Sequence, residues 1–509
     1  MTSEPATAAS DRLDGAVLKV AGVVVLGAIM AILDITVVSV ALPTFQTEFD
    51  ASYAQVAWSM TAYTLALATV IPLTGWAADR FGTKRLYMSA IALFVVGSVL
   101  CSLAWDVSSL VGFRVLQGLG GGMLLPLGMT IMTRAAGPHR VGRVMAVLGI
   151  PMLLGPIGGP ILGGWLIEVA TWQWIFLINV PIGIAALIYA FNALPKDAPE
   201  PSESFDWFGM LMLSPGLATF LFGVSSIPEE GTVAAPRVII PAVIGAVLIV
   251  AFVWHAFRPE HPLLDLRLLK NRQLTVAVIT MGLFAVAFFG ANILFATYFI
   301  QVRGETTLAA GLLVAPIGIG AMLTMPSAGT LVDRIGPGKI VLTGLTLITG
   351  GMAVLTQVGA ETSYVVLLSA LFVMGLGMGG TMMPTMTAAL ATLRDRTIAR
   401  GSTLMNIIQQ VAASIGTAVF SVVLTNQLTG SQFAGPAIAS WDEPAILEQI
   451  PAPAIAQGFV DAADAFGIAF TVAFVLIALT LIPAFLLPRR RVAQPGEVKE
   501  EAQPVGVVH

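Results

Sequence analysis

Among the 29 acidic residues of this 509-residue chain, Asp34 is the one that falls deep inside an apolar stretch of membrane-crossing length, and Arg114 is the one base so placed. An ionisable group in hydrocarbon is expensive and marks function by default. The chemistry a lone carboxyl offers there is reversible proton binding, governed by desolvation and by the approach of a guanidinium. Covalent, redox and metal chemistry find no comparable residues. Cys101 is the single cysteine, and His139, His255, His261 and His509 are too scattered for an HExxH zinc motif. Gly375-Leu-Gly377-Met-Gly-Gly380 satisfies G-x-G-x-x-G, yet it lies within an apolar run and not between a strand and a helix. No G-x-x-x-x-G-K-[ST] segment occurs, since Gly338-Lys339 is followed by Ile340. The chain is therefore expected to be no enzyme, to use no cofactor or metal, and to draw on an ion gradient instead of ATP.

The elements that must position Asp34 and Arg114 follow from composition. Hydrophobic residues are 57% of the chain and charged residues 11%, with mean hydropathy +0.88, whereas a soluble domain carries about 25% charged residues. This excludes an ordinary globular protein, and no nucleic-acid partner is expected. At about 20 apolar residues per bilayer crossing, the runs predict an all-α polytopic membrane protein. Its fourteen spans fall near 19–42, 54–77, 86–104, 108–133, 143–168, 174–194, 207–226, 237–257, 274–300, 308–330, 340–358, 364–390, 401–425 and 465–487. The first run is too long for a cleaved signal segment, so span 1 is expected to be retained.

Arg237 and Arg303 fall on one side and Arg114 inside a span, which leaves 22 of the 25 Lys and Arg on the other side. The positive-inside rule then places both termini in the cytoplasm of a multi-pass inner-membrane protein. The outer segments hold acids instead, among them Asp442, Glu443, Glu448, Asp461 and Asp464 in the long stretch 427–464, where an adaptor protein could dock. In this topology Asp34 and Arg114 both sit on the order of 10 Å below the outer surface, at 1.5 Å of rise per residue. They meet if spans 1 and 4 line one cavity. The same pair could instead serve only to orient two helices.

Two segments are duplicated. Gly75-Trp-Ala-Ala-Asp79-Arg80-Phe-Gly82-Thr-Lys84-Arg85 follows span 2, and Gly329-Thr-Leu-Val-Asp333-Arg334-Ile-Gly336-Pro-Gly-Lys339 follows span 10. Gly118-Leu-Gly-Gly-Gly-Met-Leu-Leu-Pro126 in span 4 is matched by Gly375-Leu-Gly-Met-Gly-Gly-Thr-Met-Met-Pro384 in span 12. An offset of eight spans in both cases predicts two six-helix halves separated by an inserted pair. The expected divisions are a tail 1–18, an N-terminal bundle 19–195, the insert 196–273, a C-terminal bundle 274–487 and a tail 488–509. Repeated halves with a ligand site between them are the usual build of alternating-access transporters.

The duplicated loop, together with Leu33-Asp34-Ile-Thr36-Val-Val-Ser39-Val-Ala-Leu-Pro43, Arg114-Val-Leu-Gln117-Gly118, Gly149-Ile-Pro151-Met-Leu-Leu-Gly155-Pro156-Ile-Gly158-Gly159-Pro160 and Trp172-Gln173-Trp174-Ile-Phe-Leu-Ile-Asn179-Val-Pro181, resembles the major facilitator superfamily. The closer likeness, from about residue 20 to 487, is to its fourteen-spanner drug:proton antiporters of EmrB/QacA type. Ser39 stands where that family has Asn, and Gln173 where it has Arg. The resemblance implies a major facilitator fold in a 6+2+6 arrangement and export of amphipathic, cationic drugs in exchange for protons, by a chain that works as a monomer. It further implies proton coupling at Asp34 and Arg114. Gly75, Asp79, Arg80, Gly82, Arg85, Asp333 and Arg334 would form a cytoplasmic gate, and Pro151, Gly155, Pro156 and Gly159 would make span 5 an antiporter helix.

Polar, aromatic and methionine positions in apolar spans suggest the substrate path: Trp58, Tyr63, Gln117, Phe288, Phe289, Asn292, Asn406, Gln409, Gln410 and a stripe at Met378, Met382 and Met386. Flexible thioethers and aromatic rings suit promiscuous ligands, and they suit ordinary packing equally well. A lipid or cell-envelope precursor flippase on the same fold is the alternative function. A proton-linked importer is disfavoured by the span 5 motif.

Overall fold

The structure, a computed structural model, describes residues 14–137, 140–196, 204–230, 232–393, 395–441 and 450–489. Much of both expected tails, His139 and the acids at 442, 443 and 448 lie outside the described residues. The first five helices are α1 (Gly15–Glu48), α2 (Tyr53–Phe81), α3 (Thr83–Ser102), α4 (Val107–Ala136) and α5 (Val141–Val169). A turn at Trp174–Leu177 leads into α6 (Asn179–Ala193). The insert is α7 (Trp207–Ser225) and α8 (Pro236–His255). Then come α9 (Arg272–Gln301), α10 (Thr307–Ile335), α11 (Pro337–Leu355), α12 (Tyr364–Leu390), α13 (Asp395–Gly430) and α14 (Ala452–Ala484). Thirteen helices are long and apolar enough to cross a membrane. The 29-residue α5, without a charge between Arg143 and Glu168, is the fourteenth.

Local sequence starts these helices where the charge pattern cuts the apolar runs. Asp14 accepts from Val17 N–H at 3.0 Å, and Ser52 with Gln55 closes a capping box on α2. Asp106 accepts from Ser109 N–H at 2.7 Å to start α4, which sets Arg114 two turns in. Each such cap satisfies backbone donors that the helix leaves unpaired. The duplicated motif folds twice in the same way. Gly82 and Gly336 are single-residue hinges with φ of 90° and 87°, a region L side chains rarely adopt, and each donates its N–H back to a carbonyl four residues earlier at 3.0 Å.

The glycine rows are packing surfaces. Gly118 and Gly122 lie against α2 and Gly120 against α3, while Gly375 and Gly379 lie against α10 and Gly377 against α11. The G-x-G-x-x-G of span 12 is thus one of two equivalent helix seams. On α5, Gly155, Gly159 and Gly163 press on Ile32, Thr36 and Val37 of α1, the helix that carries Asp34. The helix runs unbroken through Pro151, Pro156 and Pro160.

One expectation changes, and one span carries an irregularity. The last span begins at Ala452 and not near 465, and α13 continues to Gly430, so much of the described outer segment is helical. Ile455, Gly458 and Ala462 form a buried face, with Gly458 packed on the Ala434–Ala439 helix. On the flank, Asp461 accepts from Ser431 Oγ at 2.6 Å and Gln457 Nε2 at 2.7 Å. Acids spaced along one flank of a helix read as loop when only charge is counted. Helix α9 is interrupted by a π turn at Ala285–Phe289, where Gly290 meets Gly416 of α13 backbone to backbone. The insert also touches both halves: Phe222 of α7 stacks on Trp58 of α2 at 5.4 Å, and Val224 clusters with Ala418 and Val422 of α13.

Candidate functional site

Asp34 and Arg114 meet. Arg114 Nη1 donates to Asp34 Oδ2, and the two side chains are 1% and 0% exposed. Every helix of the N-terminal half except α5 adds a group. Gln117, one turn along α4, donates Nε2 to Asp34 Oδ1 at 2.7 Å and to Ser98 Oγ of α3 at 2.8 Å, while its Oε1 accepts from Arg114 Nη1 at 2.7 Å. Asn179 of α6 donates Nδ2 to Asp34 Oδ1 and Ser98 Oγ, both at 3.4 Å. Arg114 Nε donates to the Ser59 carbonyl of α2 at 3.1 Å. Its guanidinium lies over the Tyr63 ring at 4.1 Å and 5.9 Å from the Phe176 ring. Cys101 Sγ contacts Gln117 Oε1 at 3.5 Å.

A buried ion pair pays a desolvation cost that hydrogen bonds to the remaining lone pairs must offset. Here both carboxyl oxygens accept from N–H donors. Tyr63 and Gln117, both expected on the substrate path, touch this ion pair and are fully buried. The Tyr63 hydroxyl is buried without a hydrogen-bond partner.

Over this cluster toward the acidic end, Phe45, Phe49, Trp172 and Phe176 form an aromatic cap, with the Phe45 and Trp172 rings at 5.5 Å edge to face. Asp34 beneath it is 1% exposed as a whole residue. Outside the spans, backbone and side-chain hydrogen bonds from Ser109 hold the Asp106 carboxyl below the usual carboxylate range. The Val17 N–H, with Arg140 at 3.1 Å, does the same for Asp14.

At the basic end the halves are joined twice. Asp79 of α2 faces Arg400 Nε of α13 at 3.5 Å and Arg134 Nη2 of α4 at 3.7 Å. Asp333 of α10 accepts from the N–H groups of Gly142 at 3.0 Å and Arg143 at 3.3 Å, at the start of α5, where helix-terminal amides favour a carboxylate. Each motif copy thus grips a helix of the opposite half. Ser402 Oγ adds a 2.7 Å bond to the Pro126 carbonyl, and Met325 packs on Gly149. Arg80 and Arg334 occupy the last turns of α2 and α10, and Arg85 is exposed on α3.

The other path residues are spread out. Phe288 and Met382 are buried in the C-terminal half, Phe288 stacked on Phe284 at 5.3 Å. Phe289 and the two glutamines, Gln409 and Gln410, are half-buried, and Asn292 is exposed. Asn406 donates to the Ser402 carbonyl at 2.8 Å and contacts Met129 Sδ at 3.4 Å across the halves. Sequence reasoning missed Ser98 and Asn179 at the ion pair and Arg400 at the gate. Asn179 had a signal, an amide inside an apolar run, whereas Arg400 looks like any base at a span end.

The sequence profile of the Major Facilitator Superfamily matches residues 24–417. The chain is 49% identical over 495 residues to the multidrug resistance protein B homolog of Mycobacterium tuberculosis strain H37Rv, a match covering 94% of this chain and 92% of that one. It is 30% identical over 416 residues to the multidrug export protein EmrB of Haemophilus influenzae, covering 81% of each. Its fold is similar to that of the human organic anion transporter MFSD10, with TM-score 0.57 at 16% identity over 91% of this chain and 99% of that one. The proton:xylose symporter XylE has the same TM-score at 15% identity, over 91% and 95%. With fourteen helices of membrane-crossing length among the described residues, two folded copies of one gate motif and these relatives, the chain belongs to the major facilitator superfamily, in the branch that its multidrug-resistance relatives occupy.

Proposed function

We propose that this chain exports amphipathic, cationic compounds across the cytoplasmic membrane in exchange for protons, with both termini in the cytoplasm. The basic end is then the cytoplasmic end, and the joined gate makes this the outward-facing conformation. The observation that carries the reading is Asp34: one buried carboxylate, ion-paired and held by two amides, within a half that its gate locks to the other half.

Proton and substrate need not share Asp34. Both its oxygens are occupied and the side chain is closed off, so a cation reaching the cavity finds no free oxygen there. A proton arriving on Asp34 cancels the attraction to Arg114 and competes with the N–H donors. That loosens α1 against α4, and α1 bears on α5 through Thr36 and Gly159. The N-terminus of α5 is what Asp333 holds. Protonation at Asp34 is thereby linked to release of the gate through one helix, and the equilibrium shifts only by the difference in proton affinity between the two conformations.

The names of the relatives support drug export, and the lone deep acid supports the proton as driving ion. The test is transport in proteoliposomes with an imposed pH gradient and tetraphenylphosphonium or ethidium as probe. Saturable, uncoupler-sensitive movement is expected. Probe movement indifferent to the gradient, with altered lipid asymmetry instead, would favour a flippase.

A further inference from the structure

The two seams between the halves differ. At the cytoplasmic end α5 and α10 touch: a Cβ on Gly142 would lie 2.6 Å from the Gly329 carbonyl, a Cβ on Gly329 would lie 2.7 Å from the Gly142 carbonyl, and Ala146 and Met325 belong to the same contact. Eighteen residues are five turns at 3.6 per turn, so Gly164 lies on the Ala146 meridian of α5 and Gly311 on the Gly329 meridian of α10. A Cβ on either Gly164 or Gly311 would meet nothing within 4 Å. Between these ends of α10, Met325 is 1% exposed, Met322 is 39% exposed and Gly318 is buried, so the separation belongs to the outer turns beyond Gly318. One face of each helix is therefore zipped at the cytoplasmic end and apart at the outer end.

The other seam, α2 against α13, is also joined at the cytoplasmic end, by Gly75 against Arg400 and Thr403. Higher up, the insert covers it. Phe222 stacks on Trp58 of α2, and Val224, Ile227 and Val238 pack with Ala418 and Val422 of α13. The insert breaks the symmetry that the duplicated halves would otherwise impose.

We infer that the outer part of the α5/α10 seam is a lateral portal through which lipophilic cations pass between the central cavity and the outer leaflet, and that the insert closes the equivalent route at α2/α13. The walls suit that occupant. Leu308 and Leu312 flank Gly311, and Glu168, exposed one turn beyond Gly164, places a carboxylate at the mouth of an otherwise apolar gap. An apolar body with a positive head meets a matching surface on passing from the cavity to headgroup depth. The choice of a cation rests on the export reading above. The lateral opening does not.

The test uses the full chain carrying Cys101→Ala, reconstituted in liposomes, with single fluorophore-labelled cysteines at Gly164 and Gly311 and, at matched height on the other seam, at Ala57 and Ser421. Phospholipids brominated on the upper acyl chain should quench the first two several-fold more than the second two. Equal quenching at all four sites overturns the portal whatever the protein transports. A second arm asks whether substrate uses it: Gly311→Leu, which fills the gap, and Glu168→Gln should each lower kcat for tetraphenylphosphonium efflux several-fold while leaving KM near wild type, because release through the outer portal is slowed. Unchanged kcat in both variants would also overturn the proposal. Loss of gradient-driven transport in the otherwise unaltered protein would instead count against the export reading.

Discussion

Gln117 donates to Asp34 at 2.7 Å from a position one helical turn beyond Arg114, so a single face of α4 offers the same carboxylate both a charged and a neutral donor. The neutral donor also accepts from Arg114 at 2.7 Å and reaches Ser98 at 2.8 Å, which makes it the centre of the cluster. Removing it leaves the ion pair without its frame.

Gln117→Leu should therefore lower stability by about 1–3 kcal/mol, the cost of stranding buried polar partners, and should shift the pH optimum of transport. Thermal unfolding in detergent and a pH profile of efflux check the two effects. An unmoved profile would confine Gln117 to packing.

Arg114→Ala leaves Asp34 buried without its counter-charge, and breaking a buried pair in this way costs about 3–5 kcal/mol. Arg114→Lys should recover only part of this, because a lysine cannot hold Asp34, Gln117 and the Ser59 carbonyl at once. The check is the ranking of melting temperatures, wild type above Lys above Ala.

The Tyr63 hydroxyl has no partner while its ring supports Arg114. Tyr63→Phe should therefore fold at least as well as wild type, whereas Tyr63→Leu should lose about 0.5–2 kcal/mol of cation–π attraction. If Tyr63→Phe is stable but transports poorly, the hydroxyl finds its partner in the inward-facing conformation.

At the gate, Asp79→Asn and Asp333→Asn should each impair transport with little loss of folded protein. A coupling of 1–3 kcal/mol shifts conformational populations about 5–150-fold. Labelling of a cysteine placed at the cytoplasmic seam should rise in both variants. Wild-type turnover and labelling would reduce the motif to a turn.

Membrane orientation is checked separately. Single cysteines near residues 200 and 500 should react only from the cytoplasm, and near 50 and 445 only from outside. External labelling near 500 in intact cells would overturn the fourteen-span topology.

The spans, the halves and the meeting of Asp34 with Arg114 are legible in the sequence, because hydrocarbon thickness and charge cuts leave few alternatives and the motifs recur eight spans apart. The partners of the pair are less so. Ser98 and Ser59 are ordinary small residues in a linear reading, and Ser59 contributes only its carbonyl. Gln117 and Tyr63 stand out as polar groups in apolar runs, but polarity alone does not tell a cavity wall from a buried network. The extension of α14 back to Ala452 is hidden because the flank bearing Asp461 and Asp464 outweighs, in a hydropathy window, the small residues that pack beneath it.

The most direct test of proton coupling is substrate-induced proton release from the detergent-solubilised protein, followed at several pH values with tetraphenylphosphonium as the added cation. Wild-type protein should release protons on binding, with a pH dependence that Arg114→Lys displaces, and Asp34→Asn should bind the cation and release none. Release by Asp34→Asn equal to that of the wild type would contradict the assignment of Asp34 as the coupling group.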